Sequence, residues 1–491
     1  MHILMASSEA VPYAKTGGLA DVATGLSKAL SEAGHDVTLV LPLYRRVIPE
    51  SRRGEPVAII NVDLRNSTVK ATVRRSLLVG TNVEILLVDQ PTYFDRRSLY
   101  TENGADYPDN AERFIFFSRA VMEIAQSLAR PNIIHVNDWQ TALVPALVQH
   151  ARSQGGRFVN TGTVLTIHNM AFHGQFPGWQ MELTGLPQEY FNWQQLEYYG
   201  HLNLLKAGIT MADMVTTVSQ TYAREICQPQ FGCGLDPLLL QRGVSLVGIL
   251  NGVDTKEWNP ELDPNLPVNF TAATVETGKA QCKAILQADL GLEVRPEAML
   301  FGMVSRLTDQ KGLDLISAKA DELLAADIQL AFLGSGDRWF EDYLRALQHR
   351  YPGKVAVQIG FDERLAHRIE AGADAYLMPS RFEPCGLNQQ YSLLYGTIPI
   401  VHAVGGLVDS VVDATPENLE QRRATGFVFH DDNADAFISA VWRAVGMYTH
   451  HRENWNQLVQ TAMRLDLSWQ RSAQEYVSVY ERALVAAGHR G

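Results

Sequence analysis

Two doubly wound α/β domains, each built on a parallel sheet, are what this sequence predicts, and three observations predict them. Its 491 residues exceed what a single core organises, and 46% hydrophobic residues mark a chain that buries large cores. Short apolar runs alternate with longer amphipathic stretches from Ile3 onward, and the alternation restarts at Met299. Polar, glycine-containing loops follow the apolar runs, which is where open parallel sheets hold their ligands.

Composition narrows the partners. With 42 Lys+Arg against 54 Asp+Glu the formal net charge is -12, and the basic residues are scattered, so nucleic acid and anionic membranes are not expected as partners. A neutral, sugar-like partner suits this surface better. Cys227, Cys233, Cys282 and Cys385 show no CxxC spacing and imply a reducing compartment. Met1 to Ala6 carries no basic segment and only a strand-length apolar run, so no signal peptide or membrane span is expected and the location reads as cytoplasmic.

In chain order, Ile3 to Ser7 is a strand, Glu9 to Gly18 a loop, and Leu19 to Ala33 a helix with Leu19, Val22, Ala23, Leu26, Ala29, Leu30 and Ala33 on one face. Gly34 ends that helix, and Val37 to Leu41 completes a βαβ unit. Between strand and helix, Lys15-Thr16-Gly17-Gly18-Leu19-Ala20-Asp21 combines two glycines, a helix start and a mobile cation, which together fit a phosphate. A Gly-Gly turn serves plain chain reversal equally well, and neither GxGxxG nor a P-loop pattern is present there. Residues 57–89 turn to shorter β-rich runs, an insertion or a sheet edge. Ile133 to Val136, Val164 to Ile167, Met214 to Val218 and Leu246 to Leu250 are further strands, which deliver Asp138, His168 with Asn169, and Asn251 to their ends. Each of these polar residues, taken singly, also reads as an N-cap or a turn residue.

Pro260 to Pro267, dense in Asn, Asp and Pro, reads as a linker, and a helix over Thr277 to Leu290 opens the second series. Its strands are Met299 to Val304, Ile328 to Leu333, Val355 to Ile359, Asp374 to Met378 and Ile398 to His402. Ser305 to Gly312 places Arg306 and Lys311 in one loop and helix start, as a diphosphate requires. Pro379 to Leu387 leaves a buried strand and enters a helix over Asn388 to Gly396. Two prolines bracket Glu383 and Gly386 follows, which restricts the backbone around one carboxylate; a surface glutamate in a rigid turn is the plainer reading of that residue alone. Gly405-Gly406-Leu407-Val408-Asp409 echoes the earlier Gly17-Gly18 segment. Ser472 to Ala487 is an amphipathic helix with Tyr476, Val479, Tyr480, Ala483 and Leu484 on one face.

These loops suit a sugar diphosphate nucleotide. Breaking the sugar–phosphate bond leaves negative charge on the diphosphate, which Lys15, Arg306 and Lys311 would stabilise, and positive charge at the anomeric carbon, for which Glu383, Asp138 and His168 are the candidates. No DxD pair and no histidines at i,i+4 occur, His168 and His173 being five apart, so fixed cations replace a metal and no cofactor is expected. No Ser or Cys sits in a nucleophile elbow.

Lys15 to Val22, Val136-Asn137-Asp138-Trp139, Thr166-Ile167-His168-Asn169, Leu250 to Asp254, Val304 to Leu307, Gln310 to Asp314 and Pro379 to Leu387 together resemble bacterial glycogen synthase and plant starch synthase. The resemblance implies a GT-B architecture, two doubly wound Rossmann-like domains facing a deep interdomain cleft. It implies an N-terminal, acceptor-side domain over 1–255, a C-terminal, donor-side domain over 256–465, and a C-terminal helix over 466–491 crossing back to the first. The implied reaction transfers glucose from ADP-glucose to the non-reducing end of an α-1,4-glucan with retention; another GT-B transferase or a silent glucan or sugar-nucleotide binder is the alternative. By position, Lys15, Arg306 and Lys311 would hold the diphosphate, with Gly17 and Gly18 admitting it. Asp21 and Asn251 would seat the donor, His168, Asn169 and Glu383 would surround the glucose, and Asp138 would lie at the acceptor side. Backbone N–H groups of Cys385, Gly386, Leu387 and Asn388 would also meet the donor. Phe361 replaces a tyrosine common in relatives, keeping an aromatic face for the base without its hydroxyl.

Overall fold

Ile3, Leu4, Met5 and Ala6 are all completely buried, as a strand covered on both faces by helices must be. The computed structural model describes residues 1–65, 67–156 and 158–490. It divides into two units, Met1–Gly252 with Trp469–Gly491, and Val253–Ser468.

In the first unit the strand His2–Ala6 pairs in parallel with Asp36–Pro42 on one side and Ile133–Asn137 on the other. Glu84–Asp89 continues the sheet in parallel beyond Asp36–Pro42, whereas Gly162–Ile167, Met214–Thr217 and Leu246–Gly248 extend it in parallel beyond Ile133–Asn137. The chain therefore winds outward in opposite directions from the boundary between His2–Ala6 and Ile133–Asn137, which makes that boundary the topological switch point. Residues 55–77 are two long antiparallel strands, Glu55–Leu64 and Ser67–Leu77, added at the edge, in place of the shorter runs read from the sequence.

The helix Trp469–Arg490 belongs to this unit and buries Trp469, Tyr476, Val479, Tyr480, Ala483 and Ala487. Its Tyr480 hydroxyl lies 2.9 Å from Nδ1 of buried His135, whose Nε2 lies 2.6 Å from Thr166 Oγ1, itself 2.6 Å from Thr216 Oγ1. Burial drives the His135 pKa down to about 3, so this chain of polar contacts holds a neutral imidazole.

The second unit repeats the design with one parallel sheet in the order Val355–Ile359, Ile328–Gly334, Met299–Val304, Ala375–Met378, Ile398–His402, Phe427–Phe429. Its switch point lies between Met299–Val304 and Ala375–Met378. Phe427–Phe429, only three residues long, was missed from the pattern because so short a run carries no periodicity. The segment Pro260 to Pro267 corrects another expectation. It is packed into this unit and is no free linker: Asp263 is 1% exposed, and its Oδ2 accepts hydrogen bonds from His367 Nδ1 and from the Tyr395 hydroxyl, each at 2.6 Å.

Ending the chain after Ser468 strips the first unit of two large aromatic side chains on its sheet, each worth about 2–3 kcal/mol of burial. We expect the truncated protein to lose the first unit's thermal transition by circular dichroism while the second unit's survives. An unchanged melting curve contradicts this account.

Candidate functional site

The second unit's site is built by the loops that leave the two strands at its switch point. Met299–Val304 delivers Arg306 and Lys311, and Ala375–Met378 delivers Glu383. Lys311 ends a 3-10 turn over Asp309–Lys311, and its Nζ donates to Glu383 Oε2 at 2.5 Å. The side chains are 15% and 12% exposed, so this is a charge pair drawn well out of water with an open edge. Glu383 Oε1 has no hydrogen-bond partner among the described residues. Arg306 is exposed, and its Nη2 reaches Gln310 Oε1 at 3.3 Å, while Gln310 in turn donates from Nε2 to the Phe382 carbonyl.

The shape of the Glu383 loop is imposed from below. Gly405 has φ +45°, and a Cβ there would stand 2.1 Å from the Glu383 carbonyl oxygen; one on Gly406 would stand 2.0 Å from that of Cys385. The Gly406 N–H donates to the Glu383 and Pro384 carbonyls at 3.0 and 3.1 Å. The Gly-Gly echo noted in the sequence thus serves, in this unit, to let a helix start lie against the backbone of the acidic loop. Two fully buried glutamines brace the next residues: Gln389 Nε2 donates to the carbonyls of Cys385 and Gly386, and Gln390 Nε2 to that of Gly386. Arg381 clamps the loop's other side, with Nη1 and Nη2 on Asp314 at 2.6 and 2.7 Å and Nε on Asp432 at 2.8 Å.

Asn388 opens the helix Asn388–Leu394, and its side chain donates to the Val304 carbonyl at 2.6 Å and to the Tyr376 hydroxyl at 2.7 Å, tying the two switch-point strands together. The N–H groups of Gly386, Leu387 and Asn388 enter this helix start, where no intrahelical acceptor exists for them. Cys385 is a buried free thiol. Phe361, just past Val355–Ile359, is 88% exposed, an aromatic face presented to solvent at a strand end.

In the first unit the parallel register brings Asn137 opposite Thr166, which sets Asp138 beside His168. Asp138 Oδ1 accepts the His168 N–H at 2.7 Å. Burial raises the Asp138 pKa to about 7; the N–H groups of His168 and Asn169 oppose the rise and the Glu9 carboxylate adds to it. Burial lowers the His168 pKa to about 3, which leaves the ring neutral. Asn137 donates from Nδ2 to the Ala6 carbonyl across the switch point, so its Oδ1 faces His168 Nε2 at 3.0 Å. His168 Nε2 therefore carries the proton, and Nδ1 is left as an acceptor. Asn169 uses its side chain in a turn, Oδ1 accepting the Ala171 N–H at 2.9 Å. Asn251 is 5% exposed, and its Oδ1 is buried without a hydrogen-bond partner.

Lys15 is exposed and pairs with Asp21 at 2.7 Å. Gly17 and Gly18 face open space where a side chain would stand. What holds their loop is Glu9, which the sequence reading passed over. Its carboxylate accepts from the Thr16 N–H and hydroxyl, from the Gly17 N–H, and from the Tyr100 hydroxyl 91 positions away. A glutamate opening the loop just past an apolar strand is the available signal, but its partner Tyr100 has no local mark.

Two outcomes follow. Gly405→Ala should cost about 1–3 kcal/mol in thermal stability, because the added methyl pushes the Glu383 backbone aside; an unchanged thermal midpoint would show that this close approach is dispensable. Asp138 holds its proton between about pH 4 and 7 in the folded chain but not in the unfolded one, so stability falls as pH rises through that window. Asp138→Asn should accordingly be more stable than the parent at pH 8 by about 2 kcal/mol, half the value for a wholly dry carboxyl, and no more stable at pH 4. Denaturant titrations at both pH values measure the difference. Asparagine also tolerates the left-handed backbone of this position, φ 52°.

Residues 2–241 match the starch synthase catalytic domain family, and residues 292–459 match glycosyl transferases group 1. Glycogen synthase from Anaeromyxobacter dehalogenans (strain 2CP-C) is 45% identical over 482 residues, 98% of this chain and 99% of that one. Glycogen synthase 1 from Methylococcus capsulatus is 44% identical over 490 residues, 99% of this chain and 97% of that one. The catalytic domain of starch synthase IV from Arabidopsis thaliana, solved bound to ADP and acarbose, superposes with a TM-score of 0.88 at 32% identity over 99% of each chain. Sucrose-phosphate synthase from Thermosynechococcus elongatus, with a TM-score of 0.57 at 17% identity over 99% of each chain, shares the fold alone. With a GT-B fold and likeness of this degree along its whole length, the chain is an enzyme of the glycogen synthase and starch synthase family of glycosyltransferases.

Proposed function

We propose that this enzyme moves glucose from ADP-glucose to the non-reducing end of an α-1,4-glucan with retention of the anomeric configuration. The observation that carries the reading is the Lys311–Glu383 pair at the second unit's switch point, a cation and a carboxylate at one strand-end site. A relative of the same fold holds ADP and acarbose, a nucleoside diphosphate and an oligosaccharide mimic, which supports an adenine nucleotide donor and a glucan acceptor here.

In this reading Arg306 and Lys311 neutralise the diphosphate as it departs, and the N–H groups of Cys385, Gly386, Leu387 and Asn388 add fixed dipoles of the same sign. Glu383 faces the positive charge that grows at the anomeric carbon, with Oε1 free to act while Lys311 fixes Oε2. Phe361 offers its face to the base, keeping stacking and giving up the hydroxyl bond. On the family pattern Lys15, with Gly17 and Gly18, is assigned to the diphosphate, and Asp21 and Asn251 to seating the donor; the unsatisfied Oδ1 of Asn251 suits a donor hydroxyl. His168, neutral and proton-bearing at Nε2, presents Nδ1 as an acceptor for a glucose hydroxyl, with Asn169 beside it, while Asp138 lies toward the acceptor.

Radiolabelled ADP-glucose and UDP-glucose offered with glycogen test this directly. Transfer to the polymer should be faster from ADP-glucose, and Glu383→Gln should lower kcat by about 10²-fold or more with little change in donor KM. Equal transfer from both donors would remove the adenine preference, and near-normal kcat in the variant would remove Glu383 from the chemistry.

A further inference from the structure

Away from the sugar-nucleotide site, the second unit gathers a histidine and two glutamates around one point. Glu363 and His367 stand four positions apart on the helix Glu363–Gly372, so both project from one face. Glu257 arrives from a turn closed by the N–H groups of Glu257 and Trp258 on the Asp254 carbonyl, at 3.1 and 2.9 Å. One carboxylate oxygen from each glutamate and a ring nitrogen of His367 all lie within 4.8 Å of one another.

The state of His367 is what turns this cluster into a site. The side chain is 1% exposed, and Asp263 Oδ2 accepts from its Nδ1 at 2.6 Å. With Nδ1 engaged by Asp263, Nε2 is the ring nitrogen left for a ligand. Nε2 is buried and has no hydrogen-bond partner. A buried ring nitrogen left without a partner is costly, and nearby polar groups ordinarily remove that cost. Here the nearby polar groups are the side chains of Glu257 and Glu363. Of the two arginines on this helix, Arg368, next to His367, is turned elsewhere: it donates from Nε to the Asn265 carbonyl and from Nη1 to Asp289. A metal cation is a partner that the imidazole nitrogen and both carboxylates could take at once.

We propose that Glu257, Glu363 and His367 Nε2 bind a first-row divalent metal ion of the Zn²⁺ class, with Asp263 as the carboxylate that orients the imidazole. One imidazole and two carboxylates are the donor set such ions take, whereas Mg²⁺ and Ca²⁺ prefer oxygen alone. Both glutamates are exposed, so they can close from their present spacing onto ligand distances near 2.0–2.2 Å, with water completing the coordination. The carboxylate–imidazole–metal relay is the arrangement that fixes both tautomer and ring orientation at such centres.

The ion acts at a distance from the reacting sugar. The His367 ring stacks on Trp258 with centroids 3.8 Å apart, and the Trp258 ring stacks on Tyr391 at 3.7 Å. Tyr391 lies on the helix that Asn388 opens, and Phe361 precedes Glu363 by two residues. Metal at Nε2 therefore stiffens the base of both segments without touching the donor.

The test uses the full-length enzyme, stripped with chelator and titrated with Zn²⁺ against a chromophoric competitor. The expected result is one tight site per chain, a rise in thermal midpoint on loading, and a loss of affinity of about 100-fold or more in the doubly substituted Glu257→Gln, Glu363→Gln protein, whose changes fall on exposed side chains. Asp263→Asn should weaken binding by about 10- to 100-fold. Loading with Co²⁺ should give visible bands without a thiolate charge-transfer band, which separates this centre from binding at the four free cysteines. No tight site in the parent, undiminished affinity in the double variant, or a thiolate band would each overturn the proposal.

Discussion

A carboxylate held mostly out of water needs a counter-charge at close range, and for Glu383 that charge is Lys311. Much of the second unit serves to make this pair possible. Lys311 comes from a loop on one side of the switch point and Glu383 from a loop on the other, so parallel pairing of Met299–Val304 with Ala375–Met378 is what brings them together. Arg381, Gln389 and Gln390 then fix the acidic loop from three directions, and Gly405 and Gly406 leave room for it. A substitution in any of these would shift the acidic loop without removing either charge.

The first unit solves a different electrostatic problem. Around the end of Ile133–Asn137 burial works against charge: it leaves His168 and His135 neutral and raises the Asp138 pKa to about 7. A site of neutral acceptors recognises hydroxyls by direction instead of by charge, which suits an uncharged polymer. In the second unit, by contrast, Lys311 and Glu383 meet as a fixed ion pair at the switch point.

The strands were legible because both faces of each are apolar, so the run itself is the signal; Met299 to Val304 and Val355 to Ile359 fall where the pattern put them. Sequence pattern failed where meaning depends on a distant partner. Pro260 to Pro267 has a linker's composition, yet Asp263 is anchored by residues more than a hundred positions away. Glu9 looks ordinary until Tyr100 and the Gly17 loop close on it. Asp138 meets His168 only through the register of two strands. The Glu363 and His367 pair escaped because a search for two histidines at helical spacing passes over a mixed pair, and the third member comes from another segment.

The first unit is interrupted by the second: its sheet is supplied by residues before Val253, but the helix that covers part of that sheet comes after Ser468. Synthesis on the ribosome proceeds from the N-terminus, so the inserted Val253–Ser468 segment emerges entire while its host is still missing a wall. The later-encoded unit is thus free to reach its native state first, while the earlier unit's sheet waits, with His135 uncovered, for Trp469–Arg490 to be made.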